Sequence, residues 1–101
     1  MLKMAADRMV VGTLSLKLAI FGAYSLKDKR RVVNSLKDRL KGRFNVSVAE
    51  VGSLDRWQQA EVGVAMVAND GRFVESALHK LVDYIRQDTS ASLVDYEIEV
   101  F

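Results

Sequence analysis

From Val10 to Ile20 the even positions are Val10, Gly12, Leu14, Leu16, Leu18 and Ile20, while the odd ones mix polar with small or apolar residues. Alternation of this kind predicts a strand with one buried face, and Gly22 is expected to end it. The period then lengthens. Ser25 reads as an N-cap, with Asp28 three residues later as a shortened capping box. At ~100° per residue, Val33, Leu36 and Leu40 converge on one side of the helix that follows, flanked by Val32. Gly42 is its expected terminator. Alternation returns with Phe44, Val46 and Val48 and, after a polar break from Gly52 to Arg56, with Ala60, Val62, Val64, Met66 and Ala68. Asn69-Asp70-Gly71 supplies punctuation and a second N-cap. A second amphipathic helix is predicted from about Arg72 to Gln87, burying Phe73, Val74, Ala77, Leu78, Leu81 and Ile85. Val94, Tyr96, Ile98 and Val100 then alternate in a last strand.

The element order is therefore β-α-β-β-α-β. Each helix has one apolar side and covers one face of a small sheet, so two layers follow. Right-handed crossovers give an α+β, two-layer ferredoxin-like βαββαβ sandwich. Its antiparallel four-stranded sheet has the order 4-1-3-2, with both helices on one face. Residues 1–8 show no period and are expected to form a loose N-terminal extension, with Met9 as an alternative start. Residues 9–101 form a single domain.

Composition narrows the setting. The chain has 101 residues, no cysteine and no proline. Without thiols there is neither disulfide nor thiolate chemistry, and a cytoplasmic location is expected. No apolar run approaches the ~20 residues that span a bilayer. The net charge of +2 hides an asymmetry, because residues 25–43 carry eight Lys/Arg against two Asp. A concentrated positive segment points to an anionic partner, although a wet helix face also accounts for it. No Gly-rich phosphate loop, metal-ligand cluster or nucleophile arrangement occurs, so no cofactor is implied and enzymatic chemistry is disfavoured. His79 falls on the exposed side of the second helix.

The topology places the end of the first strand and the 52–58 turn at the same rim as the start of the first helix. That rim gathers Ser25, Lys27, Lys29, Arg30 and Arg31 with Asp55, Arg56, Trp57, Gln58 and the neighbourhood of Thr89. Cations beside a tryptophan suit an RNA chain through phosphate contacts and base stacking. The alternative is structural: Trp57 caps the open end of the core, and Asp55 pairs with Arg56 or Lys29. Lys29 projects onto the apolar face of its helix, so its stem is expected along the core with the ammonium emerging at the sheet's end. The second candidate surface is the sheet face without helices, with Ser15, Lys17, Ala19, Phe21, Ser47, Ala49 and Ala65. It lacks the central aromatics of an RNA-recognition domain and suits sheet-on-sheet self-association, a dimer being the simplest case.

Several of these residues form a familiar set. Ser25-Leu26-Lys27 with Lys29-Arg30-Arg31, the run Phe44 to Val51, Asp55 with Trp57-Gln58 and Ala60, Gly63-Val64, and Asn69-Asp70 together resemble the YlxP-like family of small bacterial proteins of unknown function. The likeness runs from about Met9 to Ile98. It implies a ferredoxin-like fold. It also implies association with RNA or the ribosome, since genes of this family often lie among those for translation initiation and ribosome maturation. Members generally begin at the position of Met9, and the last strand matches only loosely. Carried over residue by residue, Lys27, Lys29, Arg30, Arg31, Asp55, Trp57 and Gln58 are the family-like polar positions, and no catalytic role comes with them.

Overall fold

The structure, a computed structural model, describes residues 8–101; the predicted extension therefore lies outside the described residues up to position 7. The elements are β1 (Val10–Ala19), α1 (Leu26–Arg43), β2 (Ser47–Gly52), β3 (Gln59–Ala68), α2 (Gly71–Arg86) and β4 (Ser92–Val100). One sheet has the order β2-β3-β1-β4 with antiparallel neighbours throughout, the expected order read from the opposite edge. Both helices lie on one face. Leu14, Leu16, Leu18, Val62 and Val64 from the middle strands meet Val33, Leu36 and Leu40 of α1 and Val74, Leu78, Leu81 and Ile85 of α2. Gly12 allows α2 to approach β1, since a Cβ there would collide with Val74 Cγ1.

Both helix starts follow the local chemistry. Ser25 Oγ accepts from the Asp28 amide at 3.0 Å, while the Asp28 carboxylate accepts from the Tyr24 amide, one residue before the cap. Asp70 caps α2 through the Arg72 amide. The ends differ from expectation. Gly42 does not terminate α1, which continues to Arg43 and leaves helical geometry at Phe44.

Phe73 is exposed, because it sits about a quarter turn away from the side formed by Val74, Leu78 and Ile85. In β4 the pairing jumps from Lys17↔Asp95 to Leu18↔Leu93, so Val94 is an extra residue, a β-bulge. Leu93 takes the inward position expected of Val94, which is exposed. A second bulge falls at Val51, between the pairs Glu50↔Val62 and Gly52↔Glu61. No helix among the described residues is long and apolar enough to cross a membrane.

Candidate functional site

The expected rim is present, and its centre is buried. The Lys29 side chain is 0% exposed, with Nζ 2.8 Å from Glu50 Oε2. The ammonium also donates to the carbonyls of Ser53 at 2.7 Å and Leu54 at 3.3 Å. Contact with Glu50 is ionic rather than a well-angled hydrogen bond, so Oε2 has no hydrogen-bond donor. Lys29 therefore does not emerge at the sheet's end, and it leaves the set of anion contacts because its charge is already neutralised. Glu50, not Asp55, is its partner. Ser53 follows the Val51 bulge with φ 55°, left-handed backbone unusual for a residue with a side chain. Its hydroxyl donates to Glu61 Oε2 at 2.8 Å and accepts from Gln59 Nε2 at 2.9 Å. These bonds fix the start of the turn that carries Arg56 and Trp57.

Gln58 ties that turn to the loop between β1 and α1. Its Nε2 donates to the backbone carbonyls of Phe21 (3.2 Å) and Ala23 (3.0 Å), and the Gln58 backbone carbonyl accepts from the Ile20 amide at 2.9 Å. Gln58 is a clamp whose amide protons are occupied. Trp57 beside it is 52% exposed, which excludes the role of a lid on the core. Phe21 (70% exposed) and Tyr24 (72%) belong to the same clamped loop. Phe21 lies beyond the end of β1, so it belongs to this rim and not to the open sheet face. Lys27, Arg30 and Arg31 in the first two turns of α1 and Arg56, next to Trp57 in sequence, are exposed too, with Asp28 and Asp55 as the acidic residues of the same segments.

The end of α2 is not part of the rim. It meets the last third of α1: Arg39 Nη2 lies 2.6 Å from Asp88 Oδ2, Arg43 stacks 4.6 Å from the Tyr84 ring centroid, and Phe44 meets Tyr84 edge-on. Burial pushes the Asp88 carboxyl up. Hydrogen bonds from the Ser90 hydroxyl and amide, together with Arg39, outweigh it and hold the group below the usual carboxylate range. The hydrogen bond to Asp88, opposed by partial burial, raises Arg39 above its ordinary value.

On the open sheet face Ser15, Lys17, Ala19, Ser47, Ala49 and Ala65 share one side, as expected. Together with Gly63 and the bulged Val51, several of them line a shallow depression of about 380 Å³. Lys17 stands in register between Glu61 and Asp95, and Glu97 and Glu99 lie opposite Ser15 and Thr13. This face thus sets one cation against four carboxylates. In the other layer α1 alone carries eight Lys/Arg at positions 25–43 against two Asp, and Lys27, Arg30, Arg31 and Lys41 among them are exposed. Sequence reading missed Tyr24, which has no pattern of its own, and Glu50, whose alternation as an inward strand position pointed at α1.

The family described as "Protein of unknown function (DUF503)" matches residues 11–98. "Uncharacterized protein YlxP" of Bacillus subtilis (strain 168) is 33% identical over 76 residues, covering 75% of this chain and 83% of that protein. Among solved structures, "De novo designed protein Foldit4" aligns with a TM-score of 0.53 at 18% identity, over 93% of this chain and 97% of the designed one. That last likeness concerns the fold alone.

Proposed function

The chain belongs to the DUF503 family of proteins of unknown function, and from that premise we infer that this member binds RNA, free or within a ribonucleoprotein, through the rim at the start of α1. The observation that carries this reading is the set of three exposed aromatics, Phe21, Tyr24 and Trp57, on two loops clamped together by Gln58. Buried aromatics stabilise folds; three left in water beside Lys27, Arg30, Arg31 and Arg56 form a surface on which bases stack while cations take phosphates. Each stacked base contributes about 1–3 kcal/mol. Clamped loops present the rings with little ordering cost on binding.

Trp57 emission provides the test. Titration with single-stranded RNA at low salt is expected to quench or shift it, with affinity falling steeply as salt rises. Lys27→Glu/Arg30→Glu/Arg31→Glu is expected to abolish the response, and an unchanged response would refute the reading. Self-association through the open sheet is the rival. The one-to-four excess of carboxylates on that face weighs against stacking two copies, and a salt-insensitive dimer mass would favour it instead.

A further inference from the structure

The rim accounts for only the first turn of a helix that stays basic to its end. On α1, Lys27, Arg30, Asn34, Lys37 and Lys41 recur at spacings of three, four, three and four, so they form one straight stripe. At ~100° per residue they fall within roughly a quarter turn of one another. Core residues Val33, Leu36 and Leu40 point elsewhere, and Arg39 and Arg43 turn toward α2, where Asp88 and Tyr84 engage them. No carboxylate lies within the stripe. Asp38 stands beside it, and among the described residues neither Lys37 nor Lys41 has an acidic partner in ion-pair contact. From Lys27 to Lys41 the stripe is about 21 Å long, at 1.5 Å per residue.

Resting on the RNA reading above, we propose that this stripe is the phosphate track of a single strand whose bases stack at the Trp57 rim, so that the binding site extends along α1 to Lys41. Four ammonium and guanidinium groups, two at each end of the stripe, neutralise phosphates without reading bases. Asn34 in their midst offers neutral hydrogen bonding to the backbone. Sequence preference then resides at the rim, and affinity grows with the length of strand along the helix. Counterion release from four contacts gives a log–log salt slope of about −3 for a strand covering the whole track.

The test compares a uridine trinucleotide with a uridine dodecamer, followed by Trp57 emission across a salt series. Wild type is expected to bind the dodecamer more tightly and with the steeper slope. Lys37→Glu/Lys41→Glu, at the far end of the stripe, is expected to weaken the dodecamer about tenfold and flatten its slope by about 1.4, while the trinucleotide is unaffected. The charge-matched control Arg72→Glu/Lys80→Glu, on α2, is expected to change neither; each variant is first checked for unaltered thermal unfolding. Equal losses on both lengths, or equal losses in the control, would show net charge at work and overturn the track. So would a wild-type affinity independent of length. If neither oligomer binds wild type, the rim reading falls and takes the track with it, an outcome distinct from rim binding without a track.

Discussion

Lys29 Nζ and Glu50 Oε2 meet 2.8 Å apart across the two layers, with the lysine wholly out of water. Removing one partner strands the other charge in the interior. Lys29→Ala is therefore expected to cost about 3–5 kcal/mol in urea unfolding, and Lys29→Met/Glu50→Leu much less than the sum of the two single changes. A single-mutant midpoint equal to wild type would show that the ammonium finds water.

The Arg39–Asp88 contact sets an acid limb of stability. The Asp88 carboxyl is held below its unfolded value, near 3.8, so its contribution is fully present above that value and is lost as pH falls through the lower folded one. Asp88→Asn is expected to lower the unfolding midpoint at neutral pH, with the difference from wild type vanishing as the solution is taken below about pH 4. A constant difference across that range would detach the effect from ionisation.

Two glycines are expected to respond oppositely to alanine. At Gly12 a Cβ would collide with Val74 Cγ1 and lie 2.9 Å from Leu78 Cδ1, and at Gly42, inside α1, it would meet nothing within 4 Å. Gly12→Ala is expected to destabilise by about 1–3 kcal/mol through overpacking, relieved in part by Val74→Ala. Gly42→Ala is expected to stabilise by about 0.5–1 kcal/mol through helix propensity. Chemical denaturation of the three variants reads both signs.

Gln58 and Trp57 separate positioning from contact. Gln58→Ala removes two hydrogen bonds, worth about 0.5–1.5 kcal/mol each, and is expected to lower thermal stability and to loosen the rim. Trp57→Ala is expected to leave stability within about 0.5 kcal/mol while removing RNA binding. A large fall in melting temperature for Trp57→Ala would place the ring in the core after all.

Period-2 and period-3.6 patterns made β1, β3 and most of the core legible, because each buried residue there announces itself through neighbours two or four positions away. Val94 was misread because the bulge that turns it out is a property of its pairing with Lys17 and Leu18, not of its own strand. Lys29 had the right address, on the apolar side of α1, but its partner lies 21 residues further on and becomes visible only when β2 arrives beneath the helix. The same holds for the rim. Trp57 and Arg56 stood out by residue type, whereas the exposure of Phe21 and Tyr24 depends on a loop clamped by a glutamine more than thirty residues downstream.

An excess of cations on α1 and an excess of carboxylates on the open sheet face give the molecule an electric dipole directed roughly across the sheet. A polyanion approaching from any side exerts a torque that turns α1 toward it before contact. The same polarity predicts retention on both cation- and anion-exchange media at one pH, an ambivalence that a net charge of +2 conceals.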